Sequence, residues 1–329
     1  MEIRSEEQAA PVADDYSALL AVTRPILVGM MHSIAEEQIA PHGDRSTMKL
    51  KHLGRVRKKS DGDLGVAFEY AVHDAVVRQE PTVSEKVQDA LRLCKIKSAT
   101  PQSILFAMEK SGAKQLVATQ RELITTESQV MSGARGRPVK LIRHLNQLES
   151  AFRKPTTRNG LPKSIKGLWK ADLFLGGSEV DNWVGTTIKS RPKALEGAPG
   201  LRVAIVPSTQ GGSDRIVMDN QKNLILCPLP YDFDFMQTFY EGHMIVQALV
   251  ETDFQRVKEV DLPNPVHRAV AKVYVDRREF SVSEVIDSVG KFAQPHLLDT
   301  REKNVTTESF NSSVVPTTTT AVGPRPLFG

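Results

Sequence analysis

Between Leu168 and Pro230 the chain passes through four short apolar segments, LWKADLFLGG, NWVGTTIKS, LRVAIVPS and NLILCPLP, each bounded by Gly, Pro, Asn or Asp. Segments of this length, rich in β-branched and aromatic residues and closed by turn formers, predict strands. Four in succession predict one sheet. LRVAIV and NLILC are almost wholly apolar, as strands covered on both faces are. A long helical pattern follows, about Phe233 to Phe254. It carries Phe235, Met236, Phe239, Tyr240, Met244, Ile245 and Leu249 at helical spacing, read as the face that packs on the sheet. The expected class is α/β, a mixed β-sheet core flanked by helices.

The segments before the sheet have a different character. Residues 1–60 read as an irregular or partly helical basic N-terminal arm. LGVAFEYAVHDAVVRQ has helical apolar spacing and gives a core helix over 61–79. Thr82 with Glu85 resembles a capping box for VSEKVQDALRLCKI, and Thr100-Pro101 supplies a cap and first-turn proline for PQSILFAMEKSG. Helical patterning also covers about Ala113 to Met131 and Val139 to Phe152, so 80–152 reads as a helical insertion or subdomain. The α/β core then spans 153–300. Within it AVAKVYVD is strand-like and VSEVIDSVGKFA helical, and 301–329, rich in Thr, Ser, Val and Pro, is expected to be disordered.

With 329 residues and 40% hydrophobic content the chain can bury a substantial core. No apolar stretch approaches the roughly 20 residues needed to cross a bilayer, and the polar, acidic start is unlike a secretion signal. The expectation is a cytoplasmic protein with no membrane association. Cys94 and Cys227 stand far apart in apolar contexts, which predicts core residues rather than a disulfide or a zinc site. No Walker loop, dinucleotide fingerprint or helical His pair is present.

Net charge is +4. Its distribution says more than its sum. KLKHLGRVRKK carries Lys49, Lys51, Arg55, Arg57, Lys58 and Lys59 with no acidic residue, and a second cluster holds Arg135, Arg137, Lys140 and Arg143. Either could neutralise phosphates or form a solvated surface. RGRP, Arg135 to Pro138, resembles the core of an AT-hook, and is equally readable as an interhelical loop. The loop STQGGSDR could approach a nucleic-acid backbone through Gln210, Ser213 and Arg215, or be a plain hairpin loop.

The polar residues inside the strands carry the chemistry. Residues two apart on a strand share a face, so Thr187 and Lys189 point the same way, and a tight antiparallel return can bring them beside Asp172. An aspartate can hold a divalent metal while a lysine positions or activates water and stabilises charge on a phosphate.

Asp172, the hairpin after it and the TIK ending of the next strand resemble the PD-(D/E)XK nucleases, the restriction-endonuclease-like superfamily. In that family a helix before the sheet often contributes a glutamate. LGVAFEYAVH looks like that helix, making Glu69 a further metal-site carboxylate with His73 one turn later. The resemblance covers 62–79 and about 168–255. The chain departs from the pattern at two positions: Ala171 replaces the proline, and Thr187 replaces the acidic residue two before the lysine. Glu179, Asp181 or Glu149 are candidate substitutes for the missing ligand.

The resemblance implies a restriction-endonuclease-like core and a metal-dependent DNA endonuclease of restriction or defence type. Mg²⁺, or Mn²⁺ in its place, would be held by Asp172 and Glu69. Lys189 and Thr187 would complete the catalytic set. DNA would be the partner, along with a second copy of the chain or a partner subunit. The alternative is a non-catalytic DNA-binding or assembly subunit that keeps the fold. An RNA-directed enzyme is disfavoured by an aromatic content of only 6%.

Overall fold

The computed structural model describes residues 2–3, 15–56, 63–106, 123–131, 138–209, 211–231, 235–256, 262–292 and 308–309. The longer helices and the sheet strands run in the order α1 (Asp15–Ser33), α2 (Asp63–Val77), α3 (Pro81–Leu93), β1 (Gln102–Leu105), β2 (Gln129–Val130), β3 (Val139–Lys140), α4 (Leu145–Arg153), β4 (Leu173–Gly177), β5 (Asn182–Ile188), β6 (Leu201–Pro207), β7 (Val217–Asp219), β8 (Leu224–Leu229), α5 (Phe235–Glu251), α6 (Pro265–Val275) and α7 (Val282–Phe292). All eight strands belong to one mixed sheet, ordered β1-β4-β5-β6-β8-β7, with β2 joining β5 and β3. The β1–β4 and β4–β5 pairs are antiparallel, whereas β5–β6 and β6–β8 are parallel.

Side chains alternate across the sheet, and each face has its own core. Leu173, Leu175, Val184, Ile188, Val203 and Ile205 face the layer formed with α1, α2, α3 and α5. Phe174, Trp183, Ala204 and Val206 face the other side, covered by α4 and by the turns around Leu161, Ile165 and Leu168. The four expected strands are present, with Leu168–Lys170 a 3-10 turn leading into β4. Both cysteines are buried and free, and burial pushes their thiols up, Cys94 to about 11 and Cys227 to about 12.

Within the expected irregular or partly helical arm, residues 15–33 form a helix, α1, and the departure from the sequence reading is that this helix is buried in the core. Its apolar residues surround the axis, so no polar stripe announces it; helices apolar all round belong to interiors. A consequence follows for α5. Its principal neighbours are α1 and α6 rather than the sheet, while α1 is seated on α2. Met244, assigned to the packing face, is 41% exposed.

Residues 80–152 are not uniformly helical. Gln102–Leu105, read as the start of a helix, is an edge strand bonded to β4, and short strands occupy Gln129–Val130 and Val139–Lys140. The free edge of β4 offers backbone partners that outweigh a Thr-Pro helix-start signal. The cap of α3 is Glu80, whose carboxylate accepts from the amides of Thr82 and Val83, rather than Thr82 itself. AVAKVYVD is helix α6, begun by Asn264, which accepts from the Val266 amide at 2.8 Å, with Pro265 in the first turn. STQGGSDR does not join hairpin partners: β6 and β8 are parallel, so the loop belongs to a crossover that includes β7.

Most of the expected tail lies outside the described residues, though Glu308–Ser309 pairs antiparallel with Glu2–Ile3. No single helix among the described residues is long and apolar enough to cross a membrane.

Candidate active site

Asp172 sits immediately before β4, and its amide donates to the Thr186 carbonyl at 2.9 Å. The antiparallel register, Leu173 opposite Thr186, sets it beside the end of β5. There one carboxylate oxygen collects three consecutive residues. Asp172 Oδ2 accepts from the Ile188 amide at 2.7 Å, the Thr187 hydroxyl at 3.1 Å and the Lys189 ammonium at 3.0 Å. Asp172 and Thr187 are buried, while the Lys189 side chain stays 32% exposed. Among the described residues every side-chain hydrogen bond to Asp172 falls on Oδ2, leaving Oδ1 able to take a further ligand.

Glu69 enters from α2, whose residues from Val66 to Val72 are all buried. Its side chain, 6% exposed, brings the carboxylate 3.8 Å from Lys189 Nζ. A carboxylate in so apolar a helix loses several kcal/mol of hydration and needs a cation or strong donors nearby. The seat of α2 is set by a close helix crossing. A methyl placed on Gly29 of α1 would come 2.6 Å from the Ala67 Cα, two residues before Glu69. His73, one turn further, pairs its Nδ1 with the Ser103 hydroxyl of β1 at 2.9 Å. Burial holds its imidazole below the ordinary 6.5, with Asp74 opposing and Arg24 reinforcing the shift.

The substitute ligands do not reach this centre. Glu179 and Asp181 belong to the turn at the opposite end of the β4–β5 hairpin, where Gly177 pairs with Asn182. Five strand residues separate that end from Asp172, about 17 Å. Their work there is structural. Glu179 accepts from the Ser98 hydroxyl at 2.7 Å and the Ala99 amide at 2.5 Å, bonds that hold its carboxyl below the usual range. Asp181 accepts from Ser128 at 2.9 Å and Thr125 at 3.1 Å. Glu149 pairs with Arg153 on its own helix at 2.8 Å.

Among the described residues no group of three or more His, Cys, Asp or Glu is arranged to hold a metal ion. Two carboxylates from separate elements do converge on one ammonium, and Oδ1 of Asp172 has capacity to spare. That set fits an ion such as Mg²⁺, which commonly takes one or two carboxylates and completes its shell with water and substrate phosphate.

Among the described residues, four cations of the basic clusters named from sequence are engaged within the chain. Lys51 and Lys49 meet Glu279 at 2.7 and 3.6 Å, Arg55 meets Asp253 at 3.1 Å, and Lys140 bonds Glu127 at 2.8 Å. Arg143 and Arg215 are exposed. Arg57, Lys58, Lys59, Arg135, Arg137 and Gln210 lie outside the described residues. One basic run was missed in the sequence reading: Arg153, Lys154, Arg158, Lys163, Lys166 and Lys170 occur between Ser150 and Ala171 with no acidic residue. The signal was available, but it was divided between the expected helical insertion and the expected first strand.

No family model, curated protein or solved structure matches this chain.

Proposed function

We propose that the chain is a metal-dependent DNA endonuclease, with Glu69, Asp172 and Lys189 as its working residues. The observation that carries this reading is the position of the Lys189 ammonium, 3.0 Å from Asp172 and 3.8 Å from the buried Glu69. The order β1-β4-β5-β6, with two antiparallel pairs and then a parallel one, and a glutamate-bearing helix preceding it, supports the restriction-endonuclease-like assignment.

Glu69 and Asp172 would hold the divalent ion, which when bound supplies positive charge at the phosphate and lowers the pKa of water. Asp172 is oriented in advance by Ile188 and Thr187, so its carboxylate need not reorganise during the reaction. Lys189 at present balances both carboxylates. On exchanging at least one of them for the phosphodiester, its ammonium can orient the attacking water and stabilise charge developing on the phosphate. Cleavage of both strands would draw on a second copy of this chain or a partner subunit.

A second reading rests on Thr187. Its hydroxyl occupies the acidic position of the motif and donates to Asp172, so the cluster is self-satisfied with only two carboxylates. That favours a non-catalytic DNA-binding or assembly subunit. Incubating supercoiled, linear and single-stranded DNA with Mg²⁺ or Mn²⁺ separates the two. Cleavage by the wild type that is lost in folded Asp172→Asn and Lys189→Ala supports the endonuclease. Salt-sensitive binding without cleavage supports the subunit.

A further inference from the structure

The basic run before Asp172 and the loop after Lys189 meet in space. Gly167 donates to the Pro199 carbonyl at 2.6 Å, and a methyl on Gly200 would strike Ile165 and Leu168. The first segment, residues 153–170, is thereby packed against the crossover between β5 and β6, residues 189–200. Lys170 and Glu196 bridge them at 2.8 Å. Both Lys170 and Lys189 hold the Glu196 carboxyl below its usual range, the Lys170 contact being the larger influence, which puts the rim and the site ammonium in one electrostatic neighbourhood.

Lys154, Lys163, Lys166, Arg191 and Lys193 are exposed on these two segments and have no carboxylate partner among the described residues. Their backbone is stiffened by 3-10 turns at Pro155–Gly160 and Pro192–Ala194 and by the burial of Leu161, Ile165 and Leu168. Arg158 lies 3.7 Å from the centroid of Trp169 and donates to the Ala151 carbonyl at 2.9 Å. The indole is half-buried and already carries a guanidinium. This rim therefore offers unpaired cations on a rigid support rather than an aromatic surface for unstacked bases. Charge without stacking suits the backbone of a duplex.

We propose that residues 153–170 and 189–193 form the surface along which duplex DNA lies, with these five cations neutralising phosphates on the approach to Lys189. The surface deepens the endonuclease reading and rests on it for the choice of DNA as partner.

The test uses the full chain with a short labelled DNA duplex in EDTA, so that binding is read apart from cleavage, across a salt series. Lys154→Gln/Lys163→Gln/Lys166→Gln should make the log-affinity against log-salt slope shallower by roughly 2–3, and Arg191→Gln/Lys193→Gln by roughly 2, at about 0.9 per phosphate contact. Glu179→Gln, at the far end of the hairpin, should keep the wild-type slope. Should the triple variant fail to fold, Lys163→Gln alone should still lower the slope by about one. Wild-type slopes in both multiple variants overturn the surface, and if Mg²⁺-dependent cleavage persists alongside them the nuclease reading survives. Shallower slopes without any cleavage by the wild type keep the surface and remove the nuclease. Binding of duplex RNA but not duplex DNA by the wild type, or of neither, overturns the proposal.

Discussion

The Thr187 hydroxyl donates to Asp172 Oδ2 at 3.1 Å, joining the ends of two antiparallel strands at the position where the resembled nuclease motif carries an acid. The bond orients the carboxylate, and the hydroxyl adds no negative charge. Its worth is modest, because the Ile188 amide and the Lys189 ammonium grip the same oxygen.

Thr187→Val should therefore lower stability by about 1 kcal/mol, the net value of one such hydrogen bond, read from the denaturant midpoint. Thr187→Glu should do the reverse of a repair when no metal is present, since two carboxylates then crowd one buried site. Adding Mg²⁺ should raise its melting temperature more than it raises that of the wild type. Equal shifts would mean that residue 187 does not face the bound ion.

Metal linkage also distinguishes the two ends of the hairpin. A bound ion at a hundredfold excess over Kd stabilises the fold by about 2.7 kcal/mol. Glu69→Gln should abolish a Mg²⁺-induced rise in Tm, whereas Glu179→Gln and Asp181→Asn should retain it along with cleavage. Loss of cleavage in a folded Glu179→Gln protein would show that the hairpin turn takes part in the site.

Gly29→Ala tests how the glutamate helix is seated. The added methyl meets backbone atoms of Ala67 rather than a movable side chain, so α1 and α2 must separate. A loss of roughly 1–3 kcal/mol is expected from such overpacking. Cleavage should fall with it, measured below the variant's own melting range, because Glu69 moves with Ala67. Unchanged stability would mean that the two helices can part at this crossing without cost.

His73 gives the fold a pH dependence of definite sign. Burial depresses its pKa in the folded state, so just below 6.5 the unfolded chain binds a proton that the folded one does not. Its contribution is intact above about 6.5 and is lost as pH falls through the window between that value and the depressed folded one. His52 shifts in the same direction, through burial and then the neighbouring His42 and basic side chains. Melting temperature should thus drop on mild acidification, and His73→Asn should remove part of the drop. An identical pH profile in that variant would assign the dependence elsewhere.

Much of the candidate site was legible in the sequence. Asp172 and Lys189 were found by asking why polar groups interrupt apolar strands, and β4 and β5 supply that answer through a hairpin, the most local way to bring distant residues together. Glu69 was named through the resemblance to a family whose helix before the sheet often contributes a glutamate. Harder to read were α1, which lacks a polar stripe because other helices surround it, and β1, whose Thr-Pro start looks helical until the open edge of β4 is there to claim its backbone groups. The error at α5 was a consequence of missing α1, since an apolar stripe shows that something covers it without showing what.

The sequence by itself determined the alternation of faces in the sheet, the hairpin that brings Asp172 to Thr187, Ile188 and Lys189, and the burial of both cysteines, because each depends on short-range spacing and hydrophobicity. Tertiary structure alone decided which carboxylates meet: Glu69 reaches Lys189 because α1 seats α2 through Gly29, while Glu179 and Asp181 are held about 17 Å away by the length of the strands. It also decided which cations are spent on ion pairs within the chain and which face solvent beside the site, since charge pairing is a matter of distance across the fold and sequence spacing does not report it.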